Sequence, residues 1–442
     1  MKWLAECSGE ELGKALRAVA PELSGGPVTV PELDPAVKGD PLWWSSSTIV
    51  GERFLVKFAW SRPAALRLAH EIAMLTALAR EPRVPFLPEV VASSTDPVLL
   101  ITRLVPGISL FEVIGSIDRD RAGRQLAWFL AALHHPSARR RAEAVAGTLA
   151  DPQLPPAATG TLRERFGTWV RPGQRRIIMR WCDWADTVLA APGPAVLVHG
   201  DLHGNNQVWD HDELRLVVDL ETAGAAEPEY DLRLFPGPDM GPGVELLTAI
   251  MRHYQQITGR QLSADRVMAW HLRTALGDAL WRSEAGIPLA DHRTPPEWVE
   301  DAAARLTMLG IDPEAPPAAY RAPGTSDSLT APDYRFDDWD SESKLGTARS
   351  NVSVANDIPG SQVGSQQRQA PGYVRPHRTS AHAGERHAGL LPATSGDGQV
   401  LIHTEEVTGS IPVSPTQLSG RFRTSDPAVF DLGAAANGST AM

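Results

Sequence analysis

The chain has 442 residues, a formal net charge of −11 and 43% hydrophobic residues, with two cysteines, Cys7 and Cys182, far apart in sequence. That length allows two or three domains of roughly 100–200 residues and a sizeable core. The acidic balance argues against non-specific nucleic-acid binding, which needs a basic face, and two distant cysteines without metal-type partners argue against a disulfide framework or a zinc site.

Met1 to Ala20 carries Glu6, Glu10 and Glu11 and lacks the basic start and apolar run of a signal peptide. No stretch approaches the roughly 20 apolar residues needed to span a bilayer. The expectation is a soluble cytoplasmic protein with neither a membrane nor a nucleic-acid partner.

In chain order, residues 42–60 read as paired strands: Pro41-Leu42-Trp43-Trp44, a turn at Ser45-Ser46-Ser47, Thr48 to Val50, a tight Gly51-Glu52 turn, and Arg53 to Phe58. Residues 63–80 read as a helix. Pro63 suits its first turn, and Leu66, Ala69, Ile72, Ala73, Leu75 and Leu78 supply an apolar face. Val98 to Ile101 is a short buried strand, followed by a connector to Pro106-Gly107. Residues 119–135 form an amphipathic helix on Leu126, Phe129, Leu130 and Leu133. From Thr161 to Leu309 the pattern is mainly helical, broken by a strand pair near 196–220.

Beyond Pro323 the chain turns rich in Ser, Gly, Pro, Thr and Gln, and only Trp339 of the thirteen tryptophans lies there. A segment so poor in periodic apolar residues does not offset its ordering entropy, so residues 323–442 are expected to be disordered. Within it, Gly409-Ser410-Ile411-Pro412-Val413 is encodable by the T-arm sequence of transfer RNA genes. The tail therefore reads either as a frame running through such a gene or as an ordinary disordered extension, and the nucleotide sequence separates the two. The outline is α+β: a small β-rich lobe (1–104), a larger helical lobe (105–322) and the tail (323–442).

The chemistry concentrates in Val196-Leu197-Val198-His199-Gly200-Asp201-Leu202-His203-Gly204-Asn205-Asn206 and, thirteen residues after Asn206, in Val217-Val218-Asp219-Leu220-Glu221. A short apolar strand delivers Asp201 to a loop, an amide oxygen follows at Asn206, and a second apolar strand delivers Asp219. Three hard oxygen groups on one loop–hairpin suit Mg²⁺ and a phosphate. Phosphoryl transfer needs positioning, a metal to bridge phosphate oxygens and a carboxylate beside the attacking hydroxyl. Loop Asp and Asn residues are ordinarily turn formers; the joint spacing of the three favours the site.

These segments resemble the catalytic and metal-binding segments of the aminoglycoside phosphotransferase family, the small-molecule branch of the protein-kinase fold, over roughly residues 10–310. The resemblance implies a bilobal kinase-like fold, Asp201 as catalytic base or hydroxyl-orienting residue, Asn206 and Asp219 as Mg²⁺ ligands, His199 as a brace and Asp231 as a structural aspartate. Gly204-Asn205 departs from the family's commoner Pro-Gly, while the position of Asn206 is kept. Leu55-Val56-Lys57-Phe58 resembles the strand that carries the phosphate-binding lysine, and Glu71, fourteen residues on, would hold Lys57 in place. Ser46 and Ser47 stand where a phosphate-covering loop is expected. Arg103 and Val105 lie in the segment that resembles the hinge and would hold the base through backbone groups.

The implied reaction moves the γ-phosphate of ATP or GTP, with Mg²⁺, onto a hydroxyl of a small molecule, an antibiotic or a metabolite. Fold and motif do not specify that acceptor. A protein kinase is disfavoured because Asp219-Leu220-Glu221 replaces Asp-Phe-Gly and no Ala-Pro-Glu segment follows. A catalytically weak nucleotide-binding regulatory module is disfavoured because Lys57, Asp201, Asn206 and Asp219 are all present. Asp239, Asp278 and Glu284 are candidates to face a cationic acceptor but read individually as surface charges; Trp270 and Trp281 read as core.

Overall fold

The computed structural model describes residues 1–313 apart from 24–27, 32–40, 81, 153–156, 238–242, 286–293 and 310. The expected disordered tail, 323–442, lies outside the described residues. Helix α1 (Gly9–Val19) starts at Ser8, whose hydroxyl accepts the Glu11 N–H at 3.2 Å and so satisfies one of the amides that a helix start leaves free. Strands β1 (Ser45–Val50) and β2 (Phe54–Ala59) follow, then helix α2 (Arg62–Leu78), then β3 (Val90–Thr95) and β4 (Val98–Arg103). The four strands form an antiparallel sheet in the order β1-β2-β4-β3. The two-residue side-chain period of a strand sorts its faces. Val56, Phe58, Leu99 and Ile101 enter one core with Leu12 and Leu16 of α1, which leaves Leu55, Lys57, Leu100 and Thr102 to line a cleft on the opposite face.

The rest is mainly helical: β5 (Ile108–Ser109), α3 (Leu110–Val113), α4 (Arg119–Leu133), α5 (Pro136–Ala146), α6 (Thr159–Arg165), α7 (Pro172–Leu189), β6 (Val196–Val198), β7 (Gln207–Asp210), β8 (Glu213–Val217), β9 (Gly224–Ala226), α8 (Val244–Thr258), α9 (Ala264–Ala285) and α10 (Pro295–Met308). Helices α4 and α8 approach where Gly123 faces Ala249: a Cβ on Gly123 would stand 2.6 Å from the Ala249 Cβ. A second core gathers Phe166, Trp181, Leu272, Leu276, Trp298 and Leu306 from α7, α9, α10 and the turn after α6.

Two sequence expectations are corrected here. Ser45-Ser46-Ser47 is not a turn: it opens β1 and pairs with Ala59, Phe58 and Lys57, while Pro41–Trp43 forms a single 3₁₀ turn. Serine's weak strand preference is overridden by pairing to β2 and by a polar cleft beside it. The reversal falls at the expected Gly51-Glu52 turn, whose φ values of 58° and 57° are the left-handed pair of a type I′ turn. The strands near 196–220 are also not one pair. β7 and β8 make a hairpin with β5 beside it, and β6 pairs with β9.

The second core contains one buried imidazole. His271 Nδ1 donates to the Arg233 carbonyl at 2.7 Å and Nε2 accepts from the Arg305 guanidinium at 2.7 Å, with Arg305 also paired to Asp301. Burial first, and Arg305 second, push its pKa down to about 3. The unfolded chain therefore binds a proton near pH 6.5 that the folded chain refuses, so stability falls as pH drops from 6.5 toward 3, by on the order of 1 kcal/mol per pH unit from this group. Urea denaturation of His271→Gln should show a shallower loss of stability between pH 6.5 and 4 than the parent chain. Equal slopes would contradict the assignment.

Candidate active site

Three backbone segments build the site. The first is β2 with α2. Lys57 Nζ lies 2.9 and 3.0 Å from the two Glu71 carboxylate oxygens and also pairs with Asp219. Burial opposes the ammonium charge, but the carboxylates of Asp219, Glu71 and Glu221 outweigh it and hold the Lys57 pKa above its usual value. Burial also drives the carboxyls of Glu71 and Glu221 upward, against the pull of Lys57 and Arg67 respectively. His70, beside Glu71, is turned to the Ala223 carbonyl at 2.8 Å, which settles the helix register in favour of Glu71 as the partner of Lys57.

The second segment is the loop after β6. Gly200 has φ +86°, and a Cβ there would sit 2.5 Å from the Thr222 carbonyl oxygen, so the turn that presents Asp201 requires glycine. Asp231, fully buried, accepts the His199 and Gly200 amides at 2.9 Å each and a hydrogen bond from His134 Nε2 at 3.0 Å. Burial alone would raise its pKa, but the bond to His134 and the neighbouring charges and amide hold it below the usual carboxylate value. His199 Nδ1 accepts the Asp201 N–H at 3.2 Å and its Nε2 donates to the Val218 carbonyl at 2.7 Å. Desolvation lowers the His199 pKa, which keeps the ring neutral in this bracing role. Arg233 donates to the Gly200 carbonyl at 2.6 Å and lies 4.1 Å over the Tyr230 ring.

A 3₁₀ turn over Gly204–Asn206 carries the third oxygen group. A Cβ on Gly204 would stand 2.7 Å from the Phe111 ring, which in this chain packs against the glycine. Asn206 Nδ2 donates to the Asp201 carbonyl at 2.8 Å, and the Val218 N–H donates to the Asn206 carbonyl at 3.0 Å, which brings this turn beside the third segment, the end of β8. There Asp219 takes φ +67°. The amide's orientation leaves Asn206 Oδ1 buried without a hydrogen-bond partner among the described residues, and Asp201 Oδ2 is likewise unpartnered there. Buried polar atoms are nearly always satisfied, so such atoms mark a place where a ligand atom is expected.

Asp219, Asn206 and Asp201 are hard oxygen donors, and Mg²⁺ characteristically takes only one or two carboxylates plus waters and phosphates. The residues present therefore fit that ion. No group of three or more His, Cys, Asp or Glu side chains suited to a metal occurs among the described residues.

Two adjoining cavities share Ser47 and Lys57. One, of about 740 Å³, is lined by Leu55, Leu100, Thr102, Arg103, Leu104, Val105, Val208, Leu216 and Val218 among others. The other, of about 480 Å³, is lined by Ser45 to Ser47, Lys57, Arg67, Asp219 and Glu221 among others. Ser46 and Ser47 thus reach the cleft from a strand. The Arg103 side chain turns out to Glu89 at 2.8 Å, and the Leu104 N–H is taken by the Arg53 carbonyl at 2.8 Å. Among the described residues the Val105 N–H has no backbone acceptor.

Arg67 and Glu221 belong to the site and were missed in the sequence. Arg67 lies one helical turn before Glu71, pairs with Glu221, donates to the Leu42 carbonyl at 3.2 Å and stacks 4.4 Å over Trp43. The readable signals were the four-residue spacing from Glu71 and the two-residue spacing from Asp219. Of the acceptor candidates, Asp278 is buried against Arg282 at 2.9 Å and Glu284 pairs with Arg165. Asp239 lies outside the described residues. Trp281 is buried, and the Trp270 indole donates to Glu227.

A lysine–glutamate pair on a small sheet lobe, facing an aspartate loop and a hairpin aspartate on a helical lobe, is the arrangement of a protein-kinase-like phosphotransferase. The chain belongs to the phosphotransferase enzyme family, whose sequence profile matches residues 43–264. Its fold is similar to that of the GDP complex of a mutant aminoglycoside 2′-phosphotransferase-IIIa, at 16% identity and TM-score 0.50, covering 68% of this chain and 97% of that one. The wild-type form of that enzyme in its GDP complex gives 16% identity and TM-score 0.49 over 68% and 98% of the two chains. A type I macrolide 2′-phosphotransferase gives 19% and 0.45 over 69% and 99%. No curated protein matches the sequence.

The buried Asp231 carries the loop that presents Asp201. Asp231→Ala leaves two amides and the His134 ring without their acceptor, so it should cost about 3–5 kcal/mol in urea denaturation. A loss below about 1 kcal/mol would contradict this anchoring role.

Proposed function

We propose that the chain transfers the γ-phosphate of ATP or GTP to a hydroxyl of a small molecule, with Asp201 as the catalytic carboxylate. The observation that carries this reading is the buried, unpartnered Asp201 Oδ2 on the same loop as the unpartnered Asn206 Oδ1, across from the Lys57–Asp219 pair.

The larger cavity suits a purine: its walls are aliphatic, and the Val105 N–H is available to an acceptor on the ring. The α- and β-phosphates would lie over Ser46, Ser47 and Lys57, with Glu71 holding the lysine in place. Mg²⁺ would be held by Asn206 and Asp219 and would supply charge neutralisation on the phosphate oxygens. Asp201 orients the acceptor hydroxyl and receives its proton as the new oxygen–phosphorus bond forms and the bond to the β–γ bridging oxygen breaks, releasing nucleoside diphosphate.

The acceptor belongs to the small hydroxylated molecules, antibiotics or metabolites. The neighbouring fold that binds GDP is named an aminoglycoside phosphotransferase, which makes aminoglycosides the first acceptors to test. No helix among the described residues is long and apolar enough to cross a membrane.

The test is phosphate transfer from ATP and GTP, with Mg²⁺, across a panel of aminoglycosides, macrolides and hydroxylated metabolites. Asp201→Ala should lower turnover about 10²–10⁴-fold with the melting temperature retained, because its carboxylate supports little of the fold. Full activity in that variant would overturn the assignment. Mg²⁺-dependent nucleotide binding without transfer in the parent chain would point to an acceptor outside the panel, and neither transfer nor binding would favour the regulatory reading instead.

A further inference from the structure

The reaction as assigned leaves one side chain of the catalytic loop without a role. His203 is 4% exposed, and its Nδ1 accepts the Asn205 N–H at 3.2 Å. A neutral imidazole that accepts at Nδ1 carries its proton on Nε2. That Nε2 faces Asp201 Oδ2 at 3.8 Å, and neither atom has a hydrogen-bond partner among the described residues. A buried donor and a buried carboxylate oxygen, both unsatisfied and aimed at each other, cost free energy apart and gain it together. The separation exceeds a hydrogen bond by about 1 Å. Catalytic contacts characteristically tighten when substrates bind.

We propose that His203 is a positioning residue for Asp201: its Nε2–H closes on Oδ2 when substrates bind, so that Oδ1 alone is turned to the acceptor hydroxyl. The inference rests on the reading of Asp201 as the catalytic carboxylate. It adds a division of labour between the two carboxylate oxygens and fixes the tautomer of the ring. The same ring holds the turn through Asn205, so loss of His203 mixes two effects, and the test must separate them.

Two substitutions do so. His203→Asn keeps an acceptor for the Asn205 N–H but removes the donor toward Asp201. His203→Gln places an amide N–H near the position of Nε2 but gives up the cap. With the acceptor found in the panel, and with water as acceptor in parallel, His203→Asn should keep its melting temperature and its nucleotide KM while kcat falls about 10–100-fold. His203→Gln should melt lower yet keep kcat within about fivefold of the parent. In the full chain with ¹⁵N-labelled histidine, the His203 resonance should report the Nε2–H tautomer and should shift in Asp201→Asn when Mg²⁺ and a non-hydrolysable nucleotide are bound.

Unchanged kcat in His203→Asn, a kcat loss in folded His203→Gln as severe as in His203→Asn, or an Nδ1–H tautomer would each overturn the proposal. These failures differ from failure of the catalytic reading itself, in which Asp201→Ala would leave transfer intact.

Discussion

Everything in the cleft depends on an excess of buried negative charge around Lys57. Among the described residues, the cations paired with Glu71, Asp219 and Glu221 are Lys57 and Arg67, and all five lie at the junction of α2, β2 and the turn after β8. Paired charges away from water are stable only when their partners and hydrogen bonds are in place, and a surplus carboxylate raises the cost of the arrangement. A divalent cation on Asp219 would relieve that surplus and free Lys57 to meet the phosphates that the cation accompanies. On the proposed reading the cluster would receive a metal-bound polyphosphate, and Lys57 is shared between Glu71 and the hairpin Asp219.

The apparatus opposite is held from behind. Asp231 fastens the His199 and Gly200 amides, His134 fastens Asp231, and Tyr254 on α8 donates to His134 Nδ1 at 3.2 Å. Arg233 fastens the Gly200 carbonyl, and its own carbonyl is held by His271. The polar atoms of the loop backbone are thus satisfied by the scaffold, whereas several side-chain atoms that face the site are not. That contrast is what preorganisation requires: the groups that must not move are bonded, and the groups that must meet substrate are left open.

Much of this was readable in the sequence because the residues concerned sit on strongly periodic elements. Lys57 on an apolar strand and Glu71 on an apolar-faced helix meet as the family resemblance implied, and Asp201, Asn206 and Asp219 stand on adjoining backbone segments. What was not legible depends on contacts between segments far apart in the chain. Ser45 to Ser47 carry turn-forming residues, and only pairing with Ala59, Phe58 and Lys57 makes them a strand. Strand β3, with Ser93, Ser94 and Thr95 on a sheet edge, lacks the apolar run that identifies a strand. The Arg67–Glu221 pair joins residues 154 positions apart, and the short spacings of Arg67 from Glu71 and of Glu221 from Asp219 do not say that the two meet.

The most direct measurement is calorimetric titration of ATP and GTP into the parent chain and Asp219→Asn, with and without Mg²⁺. If the cluster around Lys57 is built for a metal-bound polyphosphate, the parent chain will bind nucleotide tightly only with Mg²⁺, and Asp219→Asn will lose that dependence on the metal. Nucleotide binding that is equally tight with and without Mg²⁺, or that keeps its full metal dependence in Asp219→Asn, would contradict the account.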